Sequence, residues 1–140
     1  MGNIKVIENK ISGIQKYINI LNKYQSVTKE EILNDLTLRG AVERYLYLLV
    51  QATIDLAEAV ISFKGLRKPT TMRESFDILY EESIIPLELN ERLIRMVGFR
   101  NILTHDYESI DYDIVYKVLK KDVEDIKWFI ETIKKYLSKI

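Results

Sequence analysis

The sequence predicts an all-α protein, a single-domain antiparallel bundle of four to five helices. The 140 residues include only five Gly and two Pro, so few positions would interrupt a helix. Apolar residues recur at spacings of three and four, and no segment alternates between apolar and polar residues as a half-buried strand would. Since no repeat, low-complexity tract or long linker divides the chain, residues 1–140 are expected to form one helical domain.

The first helix is predicted from an apolar seam at the N-terminus, whose spacings of three and four residues are typical of a helix that packs along one face. A solitary coiled coil would show the same pattern. The seam stops at Tyr24, however, and this favours packing against neighbouring helices. The seam consists of Ile4, Ile7, Ile11, Ile14, Ile18 and Leu21.

A second helical segment begins at a capping-box pattern, Thr28 followed three residues later by Glu31. Its apolar positions continue to Phe63. Gly40 is a candidate break, because glycine weakens a helix interior. The segment is therefore predicted to be either one helix or a short helix followed by a long one.

Three further helix starts complete the predicted bundle. Thr71 and Glu74 repeat the capping-box pattern and open a short helix. Pro86 suits the first turn of a fourth helix, because its missing N–H would be unpaired there anyway. Ser109 or Asp111 caps the last helix, whose apolar residues again share one face.

Composition excludes several classes of function. The chain has no Cys and one His, so it cannot form a thiolate zinc site, and a two-histidine metal motif cannot come from one chain. We therefore expect neither a metal nor a cofactor.

The formal net charge is zero, which argues against a broad basic surface for nucleic acid but allows a local patch. The longest apolar run has six residues, against about 20 for a membrane span. We accordingly expect a cytoplasmic protein with no membrane segment.

Polar residues cluster in one segment, from Arg100 to Tyr107, which contains the only histidine, His105. A ribonuclease that uses no metal needs a base to deprotonate the ribose 2′-hydroxyl, which then attacks the adjacent phosphate. It also needs a cation for the charge on the phosphorane and an acid for the leaving 5′-oxygen. Imidazole and guanidinium groups supply these properties.

Helix geometry constrains how these groups could meet. At about 100° per residue, Arg100 and His105 lie about 140° apart on a straight helix. Either the helix ends or distorts near Thr104, or the two residues meet across a symmetric interface. Asn101 shares the face of His105 and could orient the imidazole. A purely structural interpretation is a histidine at a helix end that acts as a cap or a surface group, with Arg100 paired to Asp106.

The segment MVGFRNILTHDY contains Arg100-x4-His105-x-Tyr107 and resembles the R-x4-H-x-Y motif of HepT-like toxins in the HEPN superfamily. Residues 39–61 resemble the long second helix of that family, and residues 111–119 resemble the opening of its last helix. The resemblance covers nearly the whole chain, apart from a loosely matching first helix.

This resemblance implies a helical homodimer that acts as a metal-independent ribonuclease, the toxin of a type VII-like toxin–antitoxin module. The implied antitoxin is a minimal nucleotidyltransferase of the MntA type, which binds the toxin and transfers AMP to the motif tyrosine. Arg100 and His105 would be catalytic and Tyr107 the AMP acceptor. Asn101 occupies the polar position after the motif arginine, and Asp106 would tune His105 in a supporting role.

Other residues are weaker candidates. Asp55, on the apolar second segment, either reaches the motif arginine or is a partly exposed polar residue. Arg92 and Arg95 could extend a cationic groove that contacts RNA. Lys68 belongs to a basic loop that either holds RNA phosphate or is simply solvated, and its basic neighbours are Lys64, Arg67 and Arg73.

Three functions remain open on the sequence alone. The first is a toxin that cleaves RNA, with tRNA as the first candidate substrate. The second is a catalytically silent HEPN module that serves as the obligate partner of a nucleotidyltransferase. The third is a purely structural helical partner, which the clustered polar motif disfavours.

Overall fold

A computed structural model of the chain describes residues 3–105 and 110–140. All regular secondary structure within these ranges is helical, which confirms the all-α prediction. The helices are α1 (Ile4–Asn22), α2 (Lys29–Asn34), α3 (Leu36–Phe63), α4 (Met72–Glu81), α5 (Leu87–His105), α6 (Tyr112–Lys117), the π-helical turn (Val118–Asp122) and α7 (Val123–Ser138). The π-helical turn joins α6 to α7, and residues 112–138 are together called the last helix.

The predicted isoleucine seam of α1 is confirmed, and it packs along α3. Ile4, the first member of the seam, is the exception and remains exposed. Asn3 caps the helix by accepting a hydrogen bond from the backbone N–H of Val6. The other seam residues are buried: Ile7, Ile11, Ile14, Ile18 and Leu21.

The break between α2 and α3 lies at Asp35, and the expectation of a break at Gly40 was wrong. The predicted capping box is present, since the hydroxyl of Thr28 accepts from the N–H of Glu31 at 3.1 Å. Asp35 ends α2 and caps α3, because its carboxylate accepts two backbone N–H groups of the following turn at 3.1 Å. Gly40 continues the helix, since a strong N-cap residue sets the boundary more firmly than one helical glycine.

Helix α3 is the central element of the bundle. By length and composition alone it could cross a membrane, but half of its most apolar window is buried inside the bundle. Its neighbours include α1, α4 and α5. Its buried apolar residues are Val42, Leu46, Leu49, Val50, Ile54, Leu56, Ala57, Val60 and Ile61.

The predicted start of α4 is also confirmed, because the hydroxyl of Thr71 accepts a hydrogen bond from the N–H of Glu74 at 3.1 Å. Helix α5 begins one residue after Pro86 and remains helical through His105. Across the core, the rings of Phe76 on α4 and Phe129 on α7 meet edge to face with centroids 5.8 Å apart. This contact packs α4 against α7, the last element of the chain.

The last helix is interrupted by the π-helical turn, which the sequence did not predict. Asp111 caps its start, as expected, by accepting from the N–H of Asp113 at 2.9 Å. The side-chain amide of Gln25 donates to the carbonyl of Leu119 at 2.8 Å. The ammonium of Lys120 in turn donates to the carbonyl of Gln25. The turn is therefore tied to the connection between α1 and α2.

Candidate active site

Arg100 is held by three side-chain hydrogen bonds. Its Nε donates to Oε1 of Gln51 at 3.1 Å, and one terminal nitrogen donates to the hydroxyl of Tyr47 at 3.3 Å. The other terminal nitrogen donates to Oδ1 of Asn101 at 3.0 Å. Two of these acceptors lie on α3 and one on α5, so the guanidinium is fixed at the contact between the two helices.

The ring of Tyr47 lies beside two cations. Its centroid is 5.2 Å from Cζ of Arg100 and 5.5 Å from Cζ of Arg44. Cation–π attraction therefore supplements the hydrogen bond from Arg100 to the same tyrosine. Arg44 and Arg100 together concentrate positive charge around this half-buried ring.

Gln51 links Arg100 to Asp55. Its amide nitrogen donates to Oδ1 of Asp55 at 3.0 Å, while its amide oxygen accepts from Arg100. The sequence left open whether Asp55 reaches Arg100. In the structure, Gln51 lies between them and is hydrogen-bonded to both. Sequence reasoning overlooked Gln51, although its position within the most apolar stretch of α3 was a signal that a polar group there needs partners.

A depression of about 320 Å³ adjoins this site, between α3 and the C-terminal end of α5. Glu43 on its wall is buried and accepts a hydrogen bond from the hydroxyl of Tyr112 at 2.6 Å. Burial raises the pKa of Tyr112 and its bond to Glu43 raises it further, while Arg39, 5.1 Å from the ring centroid, opposes the shift. Thr104 also lines the depression, and its hydroxyl donates to the carbonyl of Arg100 at 3.0 Å.

The remaining motif residues lie wholly or partly outside the described residues. His105 is described only as the last helical residue of α5, and Asp106 and Tyr107 fall outside. Because α5 is continuous, backbone positions 100 and 105 are about 140° apart around its axis. The role of Asn101 in orienting His105 stays a prediction, with its Oδ1 already bonded to Arg100.

The candidate RNA contacts are distributed over two other places. Arg92 and Arg95 line a cavity between α5 and the last helix. Lys68 lies in the α3–α4 connection, beyond the end of α3. The length of α3 from Tyr47 to Phe63 is about 24 Å, so Lys68 is remote from Arg100.

Ion pairs neutralise part of the basic α3–α4 loop. Arg67 is paired with Glu74 at 2.9 Å and with Glu81 at 3.0 Å. Arg73 lies 3.7 Å from Asp77.

In residues 3–105 and 110–140, no group of three or more His, Cys, Asp or Glu side chains is placed to hold a metal ion.

Comparison with known families identifies this helical bundle as a HEPN-type ribonuclease fold. The family model described as "Ribonuclease HepT-like" matches residues 14–133. The chain therefore belongs to the ribonuclease HepT-like family, and it is a HEPN-type ribonuclease.

Two curated relatives extend over nearly the whole chain. The mRNA nuclease HepT of Shewanella oneidensis is 33% identical over 129 residues, which are 92% of this chain and 96% of the relative. The tRNA nuclease HepT of Aphanizomenon flos-aquae is 28% identical over 132 residues, 94% of this chain and 90% of the relative.

A solved structure shares the fold. It is the tri-AMPylated HEPN toxin of Shewanella oneidensis in complex with its MNT antitoxin. The match has a TM-score of 0.85 and 33% sequence identity, and it covers 93% of this chain and 97% of the toxin. The protein is thus similar over its whole fold to a toxin solved together with its antitoxin.

Proposed function

We propose that this protein is the toxin of a type VII-like toxin–antitoxin pair and cleaves RNA without a metal, with tRNA as the first substrate to test. The observation that carries the proposal is the fixed guanidinium of Arg100, with bonds to Tyr47, Gln51 and Asn101. A cation held in place before the substrate arrives stabilises developing phosphorane charge without reorganisation. The curated nuclease relatives support the same chemistry.

In the proposed reaction, an imidazole of His105 takes the proton of a ribose 2′-hydroxyl. The resulting oxygen attacks the adjacent phosphorus and forms a new P–O bond. The bond to the 5′-oxygen breaks, and that oxygen takes a proton from a general acid. The products are a 2′,3′-cyclic phosphate and a 5′-hydroxyl, and Arg100 stabilises the charge on the phosphorane.

The reaction calls for a homodimer. Acid and base are both needed, each chain has one imidazole, and backbone positions 100 and 105 diverge by about 140° on α5. A two-fold axis that brings two copies of α5 together supplies two histidines and two arginines to one site. In this dimer Asn101 and Asp106 support His105.

The proposed antitoxin is a nucleotidyltransferase of the MntA type. It transfers AMP to the phenol oxygen of Tyr107, which bonds to the α-phosphorus of ATP while pyrophosphate leaves. The bulky, negatively charged product would sit two residues from His105 and repel an RNA phosphate. The similar toxin bound to its MNT antitoxin supports this assignment.

The proposed RNA contacts differ in how free their charged groups are to bind a phosphate. Arg95 is the stronger of the two RNA-contact candidates on α5, because both terminal nitrogens of Arg92 are already bonded to Glu88 and Asp125. Lys68 is a more remote candidate, suited only to a long substrate. The proposed place of action is the cytoplasm.

Expression of the chain alone tests the toxin assignment. Wild type should arrest growth and the purified dimer should cut RNA in EDTA, whereas His105→Ala and Arg100→Ala should do neither. Lys16→Gln, an exposed change on α1, is the control for expression and folding. If wild type and His105→Ala are equally harmless and neither cuts RNA, the silent partner module becomes the better description.

Intact mass after co-expression with a nucleotidyltransferase of the MntA type tests the antitoxin assignment. The toxin should gain whole AMP units, and Tyr107→Phe should abolish the gain. Full modification of the Tyr107→Phe variant would place the acceptor elsewhere. A catalytically competent monomer at high dilution would contradict the shared active site.

A further inference from the structure

A second cationic surface lies beside the candidate active site. A cavity of about 460 Å³ opens between α5 and the start of the last helix. Arg92 and Arg95 contribute from α5, and Lys117 and Lys121 contribute from the other wall. We call these four residues and the space between them the cationic groove.

Ion pairs neutralise only part of the cationic groove. Arg92 is bonded to Asp125 at 3.1 Å and Lys117 lies 3.5 Å from Asp122. Arg95 and Lys121 are exposed and form no ion pair with any residue in the described ranges. The groove therefore keeps two solvent-exposed positive charges, one on each wall.

The chemistry of the walls fits a nucleic acid strand. Ile114 at the edge of the groove is 44% exposed, while Met96, Phe99 and Val118 form its buried floor. Exposed cations along a groove track the phosphate backbone of a single strand. An acidic protein segment would satisfy the cations equally, and the ribonuclease function argued above favours RNA.

The groove and Arg100 lie on different faces of α5. At 1.5 Å and about 100° per residue, Arg95 lies about 7.5 Å from Arg100 along α5 and about 140° around its axis. Arg100 is bonded to α3, whereas the groove lies against the start of the last helix. Phe99, which directly precedes Arg100, lines the groove, so an RNA strand that passes around α5 could contact both.

We propose that the cationic groove binds the phosphate backbone of the RNA strand outside the active site, at nucleotides away from the cleaved bond. The proposal rests on the ribonuclease function argued above. Arg95 and Lys121 make the phosphate contacts. Arg92 joins the two walls through its ion pair with Asp125, and Lys117 is paired with Asp122 on its own wall. The groove would therefore strengthen binding of long RNA and leave the chemical step unchanged.

The test measures RNA binding in the His105→Ala protein, so that the strand stays intact. A labelled single-stranded RNA is titrated at several salt concentrations against the further variant Arg95→Gln/Lys121→Gln. The dissociation constant should rise about tenfold, and the slope of log K against log salt should fall by about 1.4, or 0.7 for each lost contact. Lys5→Gln/Lys16→Gln removes the same charge from exposed positions on α1 and should change neither value appreciably.

Activity separates failure of the groove from failure of the ribonuclease assignment. With His105 restored, Arg95→Gln/Lys121→Gln should raise KM for long RNA, whereas Lys5→Gln/Lys16→Gln should keep the wild-type KM. If both double variants bind RNA alike, the groove assignment is wrong while the ribonuclease stands. If the groove variant instead loses only the nucleotidyltransferase, the groove is a partner surface. If the His105→Ala protein binds no RNA and wild type cuts none, the ribonuclease assignment has failed.

Discussion

The amide oxygen of Gln51 accepts a hydrogen bond from Nε of Arg100 at 3.1 Å, across the contact between α3 and α5. The amide nitrogen of Gln51 is bonded at the same time to Asp55 at 3.0 Å. A flip of the amide would therefore break both bonds. Gln51 is a positioning residue, because it sets the orientation of the proposed catalytic cation through one fixed amide.

Replacing Gln51 by Leu should lower kcat on RNA by about tenfold, because one bond to a charged group is worth about 1.5 kcal/mol. KM should change less, since Arg100 remains charged and bonded to Tyr47. Single-turnover cleavage at saturating RNA measures the effect. Gln51→Glu alone would place a carboxylate against Asp55, so the matched variant is Gln51→Glu/Asp55→Asn, which keeps an acceptor for Arg100 and a donor between the two positions and should recover part of the rate. Equal impairment of both variants, with unchanged melting temperature, would argue against the positioning role.

Replacing Tyr112 by Phe should destabilise the protein by about 1.5–3 kcal/mol, because the buried carboxylate of Glu43 loses its donor. Denaturant unfolding at neutral pH measures the loss.

The hydrogen bond between Tyr112 and Glu43 also leads us to expect a pH dependence of stability. Burial and Glu43 raise the pKa of Tyr112, so the folded state keeps this proton longer than the unfolded state. The contribution of Tyr112 to the free energy of unfolding is therefore complete below about pH 10 and declines above it. The difference between wild type and Tyr112→Phe should shrink above that pH, and a difference that grows there would contradict the assignment.

Asp125 should show the same direction of pH dependence as Tyr112, but at lower pH. Burial raises the pKa of this carboxyl, although Arg92 opposes the shift. The folded state then binds the proton more tightly, so the free energy of unfolding falls as pH rises through the carboxyl range. Asp125→Asn removes this titration and should gain stability relative to wild type between about pH 3 and pH 7. Denaturant unfolding of wild type and the variant at about pH 3 and about pH 7 measures this gain in stability. Glu91→Gln, a change at an exposed position, is the matched control.

Gly40→Ala should stabilise the protein by about 0.5–1 kcal/mol, because glycine weakens a helix interior. Nothing lies within 4 Å of the Cβ that the substitution would add at Gly40. Gly13 in α1 meets the same condition, and Gly13→Ala is the matched control. Thermal unfolding of the two variants measures the gain. Destabilisation at Gly40 alone would show that an unseen neighbour, such as a second copy, approaches this residue.

Local signals in the sequence were sufficient for most of the helix starts. Thr28, Thr71 and Asp111 each accept a backbone N–H two or three residues away, so the cap and its helix are encoded within one turn. The R-x4-H-x-Y motif is equally local. The break at Asp35 was missed although its signal is also local, because the prediction weighed only Gly40, whereas the carboxylate of Asp35 caps α3.

The sequence by itself determined the helical class, most helix boundaries and the location of Arg100 and His105, because these depend on periodicity and on contacts within one turn. Tertiary structure alone decided that Arg100 bonds to Gln51 and Tyr47, which are 49 and 53 residues away along the chain. It also decided that Arg95 and Lys121 meet across one groove, and that Gln25 supports the π-helical turn. Such partners depend on which helices pack together, and a single sequence carries no local signal for that choice.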